Sequence, residues 1–296
     1  MVRTIPAKTI LQKSRYEPSE WFGVDYVINL YRGCTHGCIY CDSRSNCYGI
    51  KDFEDVQVKE DSDVLLAKAL HAKKKSGVIS TGVVSDCYNI HEQDLRVTRS
   101  ALSIIADCRF GADVNTKSPL VTRDIDVLQR ISWANSASVR FTVTAADDAL
   151  AKTVEPHAPS SSERFSALKE VSDGGVFTGI MLTPLIPFVT DTRENIEQIV
   201  ELAHQGGAKF IYTLGGISIR DGQKEFFLDN LKHISPKLAR QFKEVYGASY
   251  FCYSLELNDI LKRMRELCDK ANIAYHMDDI IKASKCQADR EQATLF

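Results

Sequence analysis

The chain lacks several features that would have narrowed its function at once. No apolar run is long enough to cross a membrane, and residues 1–11 lack the hydrophobic core of a secretory signal peptide. There is also no excess of basic residues, because 37 Lys and Arg are balanced by 39 Asp and Glu, for a net charge of −2. These absences argue against a membrane protein and against a polycation, and they predict a cytoplasmic location.

Repeats and low-complexity tracts are also missing, apart from residues 159–162, whose three serines are typical of a loop that enters a helix through an N-cap. The composition, with 44% hydrophobic and 26% charged residues, is ordinary for a folded chain. A length of 296 residues fits one large α/β domain or two small ones.

Cysteine, by contrast, is plentiful, and three of the nine cysteines are closely spaced in the segment YRGCTHGCIYCD. Without a secretory signal, nine cysteines indicate metal binding or catalysis rather than disulfide bonds. Cys34, Cys38 and Cys41 lie on a Gly-rich loop after an apolar run, and their spacing lets one loop surround a corner of an iron–sulfur cube. Three thiolates leave the fourth iron of a [4Fe–4S] cluster free to bind a small molecule.

A structural zinc site is the alternative for this loop. Zinc needs four ligands, which usually come as two well-separated pairs. His36 is squeezed between two of the cysteines and is a poor fourth ligand, whereas Cys47, further along the chain, is a better one. This alternative corresponds to a zinc-binding nucleic-acid adaptor without catalysis.

Short β-branched runs alternate with helical patterns over most of the chain. The predicted strands are Asp25–Leu30, Gly77–Val84, Ala112–Thr116, Ser138–Thr144, Val176–Thr183 and Lys209–Leu214. The predicted helices between them are Asp63–Lys74, Glu92–Ala106, Arg123–Trp133, Ser161–Ser172 and Thr192–Gln205. This alternation predicts an α/β fold with a parallel sheet, and its six units predict a partial (β/α)6 barrel of the TIM type. The cysteine loop follows the first strand and is therefore expected at the C-terminal mouth of the barrel.

The alternation weakens from about Ser235, where two further helical patterns follow, Pro236–Tyr246 and Glu256–Asn272. We therefore expect an N-terminal extension over residues 1–24, a barrel core over 25–234, a C-terminal helical extension over 235–291 and a short tail over 292–296. Within the extension, Ser284–Glu291 is expected to be a flexible polar segment.

The cysteine spacing, with the aromatic Tyr40 just before the last cysteine, resembles the radical S-adenosylmethionine (SAM) superfamily. A closer resemblance, to the spore photoproduct lyase branch of that superfamily, runs from the cysteine loop to about Gly216. It is carried by the order of five pieces: YRGC with IYCD, TKS followed by RD, RFTVT, EP with SER, and TPLIP. The resemblance implies a [4Fe–4S] cluster whose open iron binds SAM. An electron from the cluster then cleaves SAM, and the 5′-deoxyadenosyl radical abstracts hydrogen from a substrate.

The resemblance also suggests which residues bind SAM. Lys117 and Thr142 match positions that contact SAM in that branch, and an ammonium and a hydroxyl at strand ends can hold its carboxylate and ribose. Ser85 or Asp86, at the end of the second strand, is expected to hold the ribose or the amino group, and Tyr40 is expected near the adenine. On sequence grounds alone, the alternative for Lys117 is a surface lysine, and Thr142 is better explained as an ordinary strand residue.

Two further pairs of residues have competing interpretations. The family resembled here has a cysteine near the position of Cys87 that returns a hydrogen atom to the product radical, and the neighbouring Tyr88 is then a candidate radical relay. The alternative is that Cys87 is a small buried residue, as free cysteines often are. For Glu155 and Arg164 a structural ion pair is favoured over substrate contact. The remaining cysteines outside the loop region are interpreted as structural: Cys108, Cys252, Cys268 and Cys286.

The last five residues resemble the short peptide that binds replication and repair proteins to the bacterial sliding clamp. Gln292 would supply an amide, and Leu295 and Phe296 would supply two apolar anchors. Together with the family, this tail favours a DNA substrate, held by clamp tethering despite the acidic net charge. A lesion would have to be extruded from the stack to reach the barrel mouth. Radical chemistry on RNA, a peptide or a partner protein is the alternative, and either reaction requires a reductant such as flavodoxin or ferredoxin.

Overall fold

The computed structural model describes residues 2–293, and the side chains of residues 2–285. Its strands are β1 Arg3–Ile5, β2 Leu11–Lys13, β3 Tyr26–Ile28, β4 Tyr31–Arg32, β5 Gln57–Lys59, β6 Val78–Thr81, β7 Gly111–Thr116, β8 Ala137–Thr142, β9 Phe177–Met181, β10 Phe210–Tyr212, β11 Gly216–Ser218 and β12 Phe251–Tyr253. Its α-helices are α1 Ser62–His71, α2 Glu92–Leu95, α3 Val97–Asp107, α4 Ile125–Ser132, α5 Asp148–Val154, α6 Ser161–Asp173, α7 Arg193–Gln205, α8 Gln223–Ile234, α9 Pro236–Tyr246, α10 Leu257–Ala271 and α11 Met277–Ala293.

Six parallel strands form the main sheet, in the spatial order β3, β6, β7, β8, β9 and β10. The antiparallel strand β2 extends the edge beside β3. Each parallel strand is reached from the previous one through one or more helices, so successive units add to the same side of the sheet. The predicted α/β fold with a partial (β/α)6 barrel is confirmed.

The six predicted core strands and the five predicted helical segments are present, with shifted ends. The predicted helix Glu92–Ala106 is broken at Arg96, which has a φ of 53°. The break turns the Glu92 carboxylate onto the start of α3, where it accepts the backbone N–H of Thr98 at 3.0 Å. The predicted N-cap before α6 is confirmed, because Ser160 and Glu163 form a capping box.

The prediction that Ser284–Glu291 is a flexible segment is wrong, because it lies within α11. Ile280 of this helix is buried. Asp278 and Asp279 lie in its first turn, where their negative charges interact favourably with the positive end of the helix dipole. The predicted clamp-binding residues are not described, since Leu295 and Phe296 lie outside the described residues, as does the side chain of Gln292.

The strands of the barrel bury both faces, as parallel strands between helices usually do. In β8, Val139 and Phe141 pack into the main core beneath the helices. The alternate residues Ser138, Arg140 and Thr142 therefore face the inside of the barrel, since successive side chains of a strand point to opposite faces. The inner face is thus partly polar although it is buried.

The N-terminal end of the barrel is closed by aromatic and aliphatic side chains. Phe177 and Phe210 begin β9 and β10, and their rings stack with centroids 5.5 Å apart. Phe22, which precedes β3, and Ile280 of α11 complete this cluster. The barrel interior is therefore reached from the C-terminal ends of the strands.

The C-terminal elements pack beside the mouth of the barrel. Strands β11 and β12 form a small antiparallel sheet, and one face of this sheet packs against α8 and α9. This sheet is tied to the cysteine loop, because Ser218 donates to Asp42 Oδ1 at 2.9 Å and Arg220 pairs with the same carboxylate at 2.8 Å. Within residues 2–293, no helix is both long and apolar enough to span a membrane.

Gly82, directly after β6, is the position where an added methyl group should do most harm to folding. Its φ is 84°, and a Cβ there would overlap the carbonyl oxygen of Asn115 on the next strand. We expect Gly82→Ala to lower the free energy of unfolding by more than about 4 kcal/mol, or to prevent folding. Thermal unfolding of the purified variant measures this.

Gly175→Ala is the matched control, because Gly175 has a φ of 76° but a Cβ there would meet no atom within 4 Å. Only the backbone strain remains in this variant, so we expect a loss of about 1 kcal/mol. Equal losses in the two variants would contradict the close approach of β6 and β7.

Candidate active site

The cysteine loop lies at the C-terminal mouth of the barrel and is held on two sides. On one side the N–H of Cys34 donates to the carbonyl of Phe53 at 2.7 Å. On the other side the N–H of Ile39 donates to the carbonyl of Val154 at 3.0 Å, and that of His157 to the carbonyl of His36 at 3.1 Å. These backbone hydrogen bonds give the loop a defined shape before any cofactor is considered.

The three cysteines of the loop are free thiols in similar, largely buried surroundings. Cys34 and Cys38 are buried and Cys41 is half-buried. Burial raises the pKa of Cys34 and of Cys41 to about 11 and that of Cys38 to about 12, and each thiol is further affected by another thiol of the set. Loading a metal centre therefore requires these thiols to lose their protons, as metal binding to cysteine generally does.

Backbone N–H groups are already aimed at two of these sulfurs. His36 and Asp86 donate backbone hydrogen bonds to the Cys34 sulfur, and Ser43 donates one to Cys41. Such donors stabilise a thiolate more than a thiol, so they fit metal ligands. Within the described part of the chain, no three His, Cys, Asp or Glu side chains are grouped as ligands of one metal ion. A [4Fe–4S] cubane needs its cysteines further apart than a single metal ion does, because each thiolate binds a different iron.

The carboxylate of Asp86 joins the loop to the strand ends. Its oxygens accept hydrogen bonds from the Thr116 hydroxyl at 2.7 Å, the Lys117 N–H at 2.9 Å and the Tyr88 N–H at 2.9 Å. The Nδ1 atom of His36 lies 3.5 Å from the same carboxylate. Asp86 is therefore occupied by protein groups, and its predicted contact with SAM stays a prediction.

A buried ion pair lies on the opposite side of the loop. The Arg164 guanidinium pairs with Glu155, whose other oxygen accepts the hydroxyl of Tyr40. Arg164 also donates to the carbonyl of Thr142 at 2.9 Å. Burial alone would raise the pKa of Glu155, but Arg164 and Lys117 hold it below its ordinary value. The predicted Glu155–Arg164 ion pair is present, and it also fixes the ring of Tyr40.

The other predicted SAM-binding residues lie around the same mouth. Lys117 is half-buried, with its ammonium 5.7 Å from the centre of the Tyr40 ring. Burial lowers the pKa of Lys117, but Cys38 and Glu155 outweigh it and raise the pKa above the ordinary value, so the ammonium stays charged. Thr142 ends β8 and is buried. Their contacts with SAM stay predictions.

Ser85 provides a direct test of whether the site fits a polar ligand. Its side chain is buried, yet its hydroxyl has no hydrogen-bond partner. A buried hydroxyl without a partner is costly, so a ligand that supplies one would be stabilised there. Three thiols, a fixed ammonium and an unpaired hydroxyl at one mouth fit an iron–sulfur cluster and SAM.

Cys87 lies in the segment that follows β6 and is only 2% exposed. Burial raises the pKa of its thiol well above the ordinary value, so it stays protonated. Tyr88, its neighbour, is also buried, and its hydroxyl donates to Asp124 at 2.9 Å. Both the predicted catalytic role and the alternative of a merely buried residue are compatible with this placement.

Sequence reasoning missed the polar network around Cys87. The hydroxyl of Tyr31, at the base of the cysteine loop, donates to Glu92 at 2.5 Å. Arg123 bridges this carboxylate and that of Asp124 with contacts of 2.8 Å each. Only Arg123-Asp124 stood out in the sequence, and no local pattern indicates that Glu92 joins them, because the contacts join three separate elements of the fold.

Comparison with known proteins identifies the family. The model of the radical SAM superfamily matches residues 28–203. An uncharacterised protein of Methanocaldococcus jannaschii is 37% identical over 188 residues, which cover 62% of this chain and 69% of the relative. Among solved structures, a tyrosine-to-phenylalanine variant of spore photoproduct lyase has a TM-score of 0.70 at 18% identity, covering 93% of this chain and 81% of that one. Another variant of that lyase, with bound AdoMet and dinucleoside spore photoproduct, has a TM-score of 0.66 at 16% identity, covering 92% and 80%.

The chain belongs to the radical SAM superfamily, and its fold is that of the spore photoproduct lyase branch. It is accordingly a radical SAM enzyme that uses a [4Fe–4S] cluster and SAM. Cys34, Cys38 and Cys41 are the thiols available at the mouth to hold the cluster, although their role as ligands stays a prediction.

The buried pair of Glu155 and Arg164 gives a testable expectation for stability. In Arg164→Met the carboxylate of Glu155 is left buried without its partner, and we expect a loss of about 3–5 kcal/mol in the free energy of unfolding. Urea denaturation monitored by circular dichroism measures the loss.

Lys169→Met is the control, because Lys169 forms an exposed ion pair with Asp173 at 2.8 Å. Its loss should stay below about 1 kcal/mol. A similarly small loss in Arg164→Met would show that the buried pair does not hold the loop.

Proposed function

We propose that this enzyme performs a lyase-like repair or modification reaction on a base of DNA. When bound, the cluster and SAM supply a 5′-deoxyadenosyl radical at the mouth of the barrel. Cys34, Cys38 and Cys41 hold the cluster, and Tyr40, Ser85, Asp86, Lys117 and Thr142 bind and orient SAM. The observation that carries the proposal is the protonated, buried thiol of Cys87 beside this mouth.

The role proposed for Cys87 is the return of a hydrogen atom to the product. An S–H bond is weak, so the thiol can give its hydrogen to a carbon radical. In this step the S–H bond of Cys87 breaks, a C–H bond forms on the product, and the unpaired electron is left on sulfur. Tyr88 is the neighbouring candidate for relaying it: its O–H bond would break, the hydrogen atom would restore the S–H bond of Cys87, and the unpaired electron would be left on the phenol oxygen, which faces Asp124.

The DNA substrate is supported by the fold shared with spore photoproduct lyase. That likeness extends over the C-terminal elements as well as the barrel, since it covers 93% of this chain. A base extruded from the stack can enter a mouth of this kind, whereas a base within a duplex cannot. A reductant such as flavodoxin or ferredoxin supplies the electron, and the C-terminal residues would tether the enzyme to a sliding clamp.

The cluster assignment is tested by anaerobic reconstitution with iron and sulfide, followed by dithionite and SAM. We expect about four irons per chain and formation of 5′-deoxyadenosine, and we expect both to be lost in Cys34→Ala. Iron analysis and chromatography of the nucleoside products measure the two results.

Cys47→Ala is the matched control, because Cys47 lies close in sequence but is exposed and hydrogen-bonded to Ser45 at 3.1 Å. This variant should keep its iron and its 5′-deoxyadenosine. A wild-type protein that holds zinc and makes no 5′-deoxyadenosine would overturn the assignment in favour of a zinc adaptor.

The role of Cys87 is tested with ultraviolet-irradiated DNA as the substrate. In Cys87→Ala the product radical has no hydrogen donor, so we expect SAM to be cleaved still while the repaired product gives way to radical-derived by-products. Mass spectrometry of the digested DNA measures the product distribution. Cys252→Ala, a change at another buried cysteine, should keep the normal products. Normal product yield from Cys87→Ala would end the donor hypothesis.

A further inference from the structure

Two neighbouring strands of the barrel each carry a buried polar atom without a hydrogen-bond partner. The Nε atom of Arg140 and the Oδ1 atom of Asn115 are both buried without a hydrogen-bond partner. The two residues are direct partners in the pairing of β7 with β8. An unpaired donor and an unpaired acceptor that face the same interior form a place where a ligand can satisfy both.

The Arg140 side chain is fixed by its other contacts. It is only 1% exposed, and its Nη2 atom pairs with Asp113 and donates to the Ser80 hydroxyl at 3.3 Å. Its guanidinium lies 4.2 Å from the centre of the Phe22 ring. The ion pair of Arg140 with Asp113 has no net charge that could balance an anion. The free Nε–H of Arg140 therefore suits a neutral acceptor better than a phosphate or a carboxylate.

The Asn115 amide is also oriented by the fold. Its Nδ2 group donates to the carbonyl of Gly82 at 3.4 Å, which leaves Oδ1 as the free acceptor. The Cys87 sulfur lies 3.3 Å from the position that a Cβ on Gly82 would take, and the backbone carbonyl of Asn115 approaches the same position. Asn115 and the proposed hydrogen donor are therefore both neighbours of Gly82.

The depth of these atoms separates them from the expected SAM layer. Arg140 precedes Thr142 by two residues on β8, and Asn115 precedes Lys117 by two residues at the end of β7. Two residues of a strand correspond to about 6–7 Å. A group that reaches Arg140 and Asn115 must therefore extend about one layer below the mouth, toward the closed end of the barrel.

We propose that Arg140 and Asn115 bind the hydrogen-bonding edge of an extruded nucleobase. The Nε–H of Arg140 donates to a ring nitrogen or carbonyl oxygen, and Oδ1 of Asn115 accepts the adjacent N–H. Every nucleobase carries such a neighbouring acceptor and donor on its pairing edge, and enzymes that extrude bases read that edge. This inference rests on the proposed DNA substrate and deepens it.

The test measures binding to the reconstituted enzyme with SAM present. Four fluorescent single strands with the same flanks and a different central base are the probes. For the tightest of them, a second strand carries a methyl group on the ring nitrogen of the pairing edge of that base. We expect the methyl group to weaken binding by about tenfold in the wild type, as the loss of two hydrogen bonds predicts.

Asn115→Leu and Arg140→Lys each remove one of the two atoms, and Arg140→Lys keeps a positive charge beside Asp113. Both variants should bind the unmodified strand about tenfold more weakly and should no longer distinguish the methylated one. Thr178→Val is the control, because it removes a buried hydroxyl whose partner is the carbonyl of Val139 at 2.8 Å. It should keep the wild-type discrimination, and thermal unfolding of each variant confirms that it is folded.

The possible results separate this inference from the proposed function. DNA binding that is unchanged in both variants overturns the subsite and leaves the DNA substrate in place. A loss of SAM affinity in the variants, measured by equilibrium dialysis, overturns the subsite by assigning the two atoms to the cofactor. A wild-type enzyme that binds none of the strands overturns the subsite together with the proposed substrate.

Discussion

The carboxylate of Asp86 is the contact on which the arrangement of the site depends. It receives protein hydrogen bonds from Thr116, Lys117 and Tyr88, and it faces His36 of the cysteine loop. A buried carboxylate is costly unless it is fully hydrogen-bonded, so these groups must all be in place together. Asp86 thus couples the loop that supplies the cysteines to the strand ends that surround it, and its own N–H completes the link by reaching the Cys34 sulfur.

The interior of the barrel, below the contacts of Asp86, is also partly polar. Asp113 and Arg140 form an ion pair deep between the strands, and the hydroxyls of Ser80 and Ser138 donate to the same carboxylate. A charged pair of this kind contributes little to stability compared with apolar packing. Arg140 precedes the predicted SAM-binding residue Thr142 by two residues on β8, as the proposed subsite requires.

Much of the fold was predictable because the strands and helices carry regular patterns. The six core strands are mostly buried and carry apolar, often β-branched, residues, and the cysteine loop carries its spacing in one segment. The long-range partners were not predictable: Glu92 reaches Tyr31 and Arg123 only because three separate elements converge. The helical state of Ser284–Glu291 was missed because its anchor, Ile280, lies outside the polar stretch and packs on Phe22 from the other end of the chain.

The closed N-terminal end of the barrel has a kinetic consequence. Because Phe22, Phe177 and Ile280 fill that end, a molecule cannot enter the interior from there, and the mouth beside the cysteine loop is the way in from the other end. A small cofactor can enter past this loop while the mouth is free, but a polymer lying across the mouth would block it. With the DNA substrate proposed above, SAM would therefore have to bind before the DNA, and the spent nucleoside could exchange only after the DNA has left.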